Sequence, residues 1–219
     1  MGLNSFGTLG SVSGSVGPVV FCTLNDQDVV KGQPKKSNKP PVQAQIDQRD
    51  RFKLVTTLLG LFKYFIDLGF KSGKKKASGM NAAVKYHLEN AVTGLSPDFA
   101  FDLSEMVLSN GNLQPAESFT ATAIAGFEVE CKWDAYETHL SDEIKVRNTD
   151  LLVVLFYDPI RQRIIQGGAG IKRSDLATTL TIPRSFGTNL LHGWMFLLSA
   201  DLKKSSKSEY LGTLTAIPA

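Results

Sequence analysis

Phe127-Glu128-Val129-Glu130-Cys131-Lys132-Trp133 alternates apolar and polar side chains over seven residues. A strand turns successive side chains to opposite faces, so this period of two buries one face and wets the other. Cys131 falls on the apolar side and reads as a buried thiol. Downstream, Leu151 to Tyr157 is apolar almost throughout and stops at Asp158-Pro159, the pattern of a central strand. Ser118 to Ala125 is Thr-rich and alternating. Arg163 to Gln166, Ala177 to Ile182, Leu190 to Ala200 and Tyr210 to Ile217 complete the set. About seven short strands with no helical run between them predict an antiparallel two-sheet, immunoglobulin-like β-sandwich over residues 97–219. Trp133 and Tyr157 are expected to point into its core. Phe99 to Leu103 also alternates, and Met106 to Ser109 leads into Asn110-Gly111, a pair that favours the mirror-image turns of hairpins.

Upstream of Pro97 the period is helical. Ile46, Phe52, Val55, Leu58, Leu59, Phe62, Phe65 and Ile66 mark one face of a long helix that opens after Pro40-Pro41. Gly60 lies inside it and marks the expected bend or break, and Gly69 with Phe70 is placed to end it. Ser78 is the expected N-cap of a second helix striped by Met80, Val84, Leu88, Ala91 and Val92, with Gly94 as its stop. Residues 42–96 therefore read as a helix pair, and the whole chain as α+β.

Residues 1–41 read as an extended arm. Gly2, Gly7, Gly10, Gly14 and Gly17 punctuate a Ser-rich leader closed by Pro18. Val19 to Leu24 then pairs with Asp28 to Lys31 across a turn at Asn25-Asp26-Gln27. A lone two-stranded ribbon is marginal in water, so the arm calls for a further sheet edge, in its own chain or a neighbour's. Val19, Phe21 and Val29 are the candidate inserted side chains, with Gly14, Gly17 and Pro18 at the bend.

Charge is unevenly spread. Residues 1–95 carry thirteen Lys and Arg against six Asp and Glu, and residues 96–219 eleven against fifteen. Opposite halves of two copies would attract head to tail. Lys35, Lys36, Lys39, Lys71, Lys74, Lys75 and Lys76 gather in two loops, and all but Lys71 are candidate basic contacts. Phosphate binding wants such clusters, but base stacking wants exposed aromatics beside them. Phe62, Tyr64, Phe65 and Phe70 fall mostly on a helix face expected to be buried, which disfavours nucleic acid.

No catalytic, cofactor or metal constellation stands out. Gly168-Ala169-Gly170 opens like a dinucleotide fingerprint, but Arg173 takes the third glycine's place and no helix follows. Ser13 and Ser15 do not complete a nucleophile elbow. His87, His139 and His192 are scattered, and an enzyme would have to gather His192, Asp175 and Glu143 from distant segments. Asp134, Glu137, Asp142 and Glu143 lack the spacing of a calcium loop. Two cysteines, Cys22 and Cys131, are too few for a disulfide framework. No apolar run is long enough for a membrane span, and no secretory leader is legible, so synthesis in the cytoplasm is expected, with a virion or extracellular assembly as a possible destination.

Gly14 to Val20, Val29 to Lys35, Gln43 to Arg49 with Phe52, Asn81-Ala82-Ala83, Ala91 to Gly94, Leu108 to Gly111, Trp133 and Tyr210-Leu211-Gly212 together resemble a family of uncharacterised Bacteroidota proteins. The resemblance implies a fibronectin-type-III-like C-terminal part, and more loosely a kinship with phage structural proteins. Lys31, where an Arg is usual, and Phe21-Cys22, where Trp is frequent, depart from the pattern. The resemblance supplies architecture rather than chemistry. The expected function is therefore a non-enzymatic structural subunit whose arm pairs with a neighbouring copy, with other structural proteins as further partners. The alternative is a monomeric protein- or glycan-binding module using the loops around Asp134 to Thr149.

Overall fold

The computed structural model of the chain describes residues 2–3, 13–24, 27–35, 39–70, 78–134, 148–168 and 170–218. It is a mixed α+β protein that divides into two compact units, Met1–Gln45 and Ile46–Ala219.

In the first unit β1 (Gly2–Leu3), β2 (Gly14–Val16), β3 (Val19–Leu24) and β4 (Gln27–Gly32) form an antiparallel sheet in the order β1-β4-β3-β2. The expected two-stranded ribbon is thus the centre of a larger sheet. The glycine-rich leader folds back at Gly17, whose φ of +57° suits the tight turn, and supplies the two flanking strands.

In the second unit the helical run breaks into α1 (Gln43–Leu61) and α2 (Lys63–Gly69), followed by α3 (Gly79–Asn90). The break falls at Phe62 rather than Gly60. The Phe62 ring is fully buried and meets Tyr157 and Trp194 edge-on at 5.1 and 5.9 Å, while a Cβ at Gly60 would meet open space. Packing of a large ring, not backbone freedom, sets the bend. Val55, Leu59, Phe65 and Ile66 are buried as the stripe requires, but Ile46 and Phe52 are 37% and 51% exposed. Ser78 caps α3 by accepting the Asn81 N–H at 3.2 Å. That helix stops at Asn90, not Gly94, because β5 (Val92–Leu95) turns back onto β6 (Asp98–Phe101) through a cis Ser96-Pro97 bond.

The remaining strands are β7 (Glu117–Ile124), β8 (Glu128–Asp134), β9 (Leu151–Asp158), β10 (Arg163–Gln166), β11 (Ala177–Thr181), β12 (Leu190–Leu198) and β13 (Glu209–Thr215). They form two antiparallel sheets, β10-β9-β12-β13 and β11-β8-β7. Leu152, Val154 and Phe156 of β9 share a buried cluster with Val129, Cys131 and Trp133 of β8 and with Met195 and Leu197 of β12. The alternate residues Val153, Leu155 and Tyr157 share another with Phe62, Ile66, Ala83, Leu108, Trp194 and Phe196. The four-stranded sheet is therefore covered on both faces, by the three-stranded sheet and by the helices. This double cover accounts for the unbroken apolar run of β9, since each fully buried aliphatic or Phe side chain contributes about 1.5–3 kcal/mol. Trp133 points between the sheets as expected. Tyr157 is also buried but faces the helices, one residue out of phase with that inter-sheet core.

Asn110-Gly111 makes no hairpin. Residues 106–113 instead run beside residues 205–208, bridging Asn110 to Lys207 and Leu113 to Ser206. A Cβ at Gly111 would lie 2.0 Å from the Ser205 carbonyl oxygen, so the glycine serves close backbone approach rather than a turn. Local propensity gave way to a contact with a segment almost a hundred residues further on.

Candidate assembly interface

The register of the arm sorts its side chains. Gly14 faces Phe21, Val16 faces Val19 and Phe21 faces Val30 across the ladders, whereas Cys22 faces Val29. Cross-strand partners share a face. Val19 and Phe21 therefore lie on one face with Val16 and Val30, and Val29 lies on the other with Val20 and Cys22. The structure brings together two of the three candidate inserted side chains and separates the third. Val29 is buried, Val19 and Phe21 are half-buried, and Val16 is 62% exposed. Gly14, Gly17 and Pro18 are exposed at the outer hairpin, with φ of +113° at Gly14.

The outer edge of the arm follows from the same register. The Gln33 N–H donates to the Pro18 carbonyl at 2.8 Å, so residues 18, 20 and 22 turn their backbone groups to β4. Val19 and Phe21 then serve β2 through Val16 and Gly14. Ser15, between them, directs its N–H and C=O away from β3.

Of the candidate basic contacts, Lys35 and Lys39 are exposed, while Lys36, Lys74, Lys75 and Lys76 lie outside the described residues, as does Lys71. The same holds for His139, Glu137, Asp142 and Glu143. Among the described residues no three His, Cys, Asp or Glu side chains gather as a metal site. No described helix is long and apolar enough to cross a membrane.

The histidines have local duties. His87 is fully buried; its Nε2 accepts the Val107 N–H at 3.0 Å, which leaves Nδ1 to donate to the Ala83 carbonyl at 2.7 Å. Burial holds its pKa below the ordinary histidine value, against the opposing hydrogen bond to Ala83. His192 bonds the Tyr210 hydroxyl at 2.8 Å and stacks on Trp194; burial lowers its pKa too, opposed by the Asp102 charge. Asp175 instead accepts the Lys172 N–H at 2.8 Å, so the described geometry does not join it to His192. Cys22 and Cys131 are both free thiols. Desolvation, with the Glu130 charge adding to it, pushes the Cys131 thiol up to about 12.

A model for a family described only as a family of unknown function (DUF6266) matches residues 11–212. The chain belongs to the DUF6266 family. No curated protein matches it. The DUF6266 match takes in β2, β3 and β4 as well as the sheets and helices of the second unit, and it ends inside β13. The arm hairpin is thus within the family's span, whereas β1 precedes it.

Sequence reasoning missed two features. Grooves flank α1 on both sides. One, of about 730 Å³, is lined by Arg51, Phe52, Met80, Val84 and Leu88; the other, of about 480 Å³, by Leu54, Leu58, Pro97, Phe99 and Tyr157. The exposed Phe52 was the available signal, an aromatic on the apolar stripe of α1. The second is a buried serine network, Ser109, Ser205, Ser206 and Ser208, in segments without periodicity.

Proposed function

We propose that this DUF6266 protein is a non-enzymatic structural subunit that assembles by pairing the edge of its arm with a sheet edge of a neighbouring copy. The outward backbone of Ser15 carries this reading. β2 pairs only with β3 among the described strands, and its residues are exposed throughout. Strand addition to such an edge takes affinity from main-chain hydrogen bonds and register from alternate side chains, here Val16, Val19 and Phe21. The uneven charge of the two halves suits head-to-tail contact, with a virion, tube or fibre as the setting and other structural proteins as further partners.

The strand connectivity supports the finer likeness of the second unit to a fibronectin-type sandwich. β7-β8-β11 against β10-β9-β12-β13 requires the chain to change sheets between β8 and β9, β10 and β11, and β11 and β12, as a Greek-key sandwich does. Such sandwiches are frequent as cell-surface and assembly modules.

Ser15→Pro and Val16→Lys in the full-length protein test the proposal by light scattering. Loss of oligomers with unchanged thermal stability is the expected result; an assembly state indifferent to both substitutions contradicts it. The groove beside Phe52 favours a second reading, a protein- or glycan-binding module, at a site other than the expected loops around Asp134 to Thr149, of which residues 135–147 lie outside the described residues. A monomer in solution whose Phe52→Ala variant loses a bound glycan or protein would select that reading.

A further inference from the structure

We infer that β11 is a self-pairing edge, through which two copies of the chain join their three-stranded sheets into one continuous sheet about a two-fold axis. This goes beyond the arm reading and uses no residue of the first unit.

The Leu176 carbonyl accepts the Trp133 N–H at 3.0 Å, and the Ile182 N–H donates to the Phe127 carbonyl at 2.7 Å. With the alternation of an antiparallel ladder, residues 176, 178, 180 and 182 turn their backbone groups to β8. Ala177, Thr179 and Thr181 therefore turn theirs outward, and all three are exposed. Among the described residues no backbone partner meets those outward groups.

The other edges of the second unit's two large sheets are guarded. β10 opens with Arg163. β7 shifts register between Glu117 and Thr120, and Ala125 beyond it bridges to Ile217. β13 shifts register opposite Gly193 and Trp194. Charges, bulges and covering segments are the usual defences against edge-to-edge association. β11, Ala-Thr-Thr-Leu-Thr, has no charge, proline or bulge.

Its partner is argued from symmetry. An antiparallel copy centred on Thr179 sets Thr179 opposite its counterpart and Ala177 opposite Thr181. The three outward residues then map onto one another, so each outward donor meets an acceptor in an isologous contact. A slip of one residue would set outward groups against inward ones and lose the ladder. The same two-fold sets the short turn Arg173–Asp175, which precedes β11, at the same end of the ladder as the turn Arg184–Phe186 that follows β11 in the second copy. Asp175 and Arg184 are exposed and opposite in charge, which favours this register over pairing with an unrelated strand.

Sedimentation velocity on the full-length protein tests the inference. Thr179→Pro removes the central outward N–H without touching a bond to β8; dimer affinity should fall about tenfold or more with unchanged melting. Asp175→Arg should weaken the dimer and Arg184→Asp added to it should restore it. Thr179→Cys in a Cys22→Ser background should give an oxidant-dependent covalent dimer, since facing Cα atoms about 5.5 Å apart suit a disulfide. A wild-type chain monomeric at the highest attainable concentration, a dimer indifferent to Thr179→Pro, or absence of the covalent dimer would overturn it. So would loss of the same dimer in Ser15→Pro, which would make β11 the receiver of a neighbour's arm. A dimer that survives Ser15→Pro but not Thr179→Pro supports self-pairing and leaves the arm proposal to stand or fall alone.

Discussion

The Ser205 hydroxyl donates to the carbonyl of Gly69 at 2.7 Å, joining the end of α2 to a loop 136 residues further along the chain. The Asn110 N–H and the Ser109 hydroxyl reach the same oxygen at 3.3 and 3.2 Å. One helix-end carbonyl, which would otherwise lack a partner, thereby ties the end of α2 to two segments without regular structure. Ser208 extends the network by accepting the Leu108 N–H at 2.8 Å, and Ser206 by accepting the Leu197 N–H at 2.9 Å.

Gly69→Ala should strike this junction. The added Cβ would lie 2.4 Å from the Leu108 carbonyl oxygen and 2.5 Å from the Ser109 Cβ, and backbone cannot yield as a flexible side chain can. A loss of about 3 kcal/mol is expected in urea unfolding. Gly60→Ala, which meets open space, should instead stabilise α1 by about 0.5–1 kcal/mol.

Acid should weaken the protein well above the carboxylate range. His87 and His192 both have pKa values lowered from 6.5 by burial, so below that pH the unfolded chain takes up protons that the folded chain refuses. Their contribution is complete above pH 6.5 and lost as pH falls through the folded values, with a slope of at most about 1.4 kcal/mol per pH unit for each. His87→Leu should remove one proton from that slope and cost about 1–3 kcal/mol at neutral pH, because the Val107 N–H loses its acceptor. Unfolding free energies between pH 5 and 8 check both, over about the range where histidine titrates.

Asp150 and Arg173 form a buried ion pair at 3.6 Å, and Arg173 also reaches the carbonyls of Gln114 and Pro115. Asp150→Ala removes a carboxylate from beside a buried guanidinium, and about 3–5 kcal/mol should be lost. Trp133 fluorescence offers the readout, since its indole N–H donates to the Arg173 carbonyl at 2.8 Å.

The two thiols should react at different rates. Cys22 is half-buried in the arm sheet, whereas Cys131 is 1% exposed with its pKa near 12. A thiol reagent at neutral pH should label Cys22 in the folded protein and Cys131 only on unfolding. Equal rates would contradict the burial of β8.

The sequence alone determined the seven strands β7 to β13, because a period of two and a double-covered apolar run are local consequences of which faces are buried. Arg163 to Gln166 matches its strand end to end, and Ser78 caps its helix as read. The arm's second strand was also within reach, in Gly17-Pro18 before a Val pair. Only tertiary structure decided where α1 breaks, which way Tyr157 points and what Asn110-Gly111 does. Each of these depends on a contact from a distant segment, Trp194 on Phe62, the helices on β9, and Ser205 on Gly111. The same reason separates Val29 from Val19 and Phe21: the register of a ladder is a relation between strands, and one residue of phase exchanges its faces.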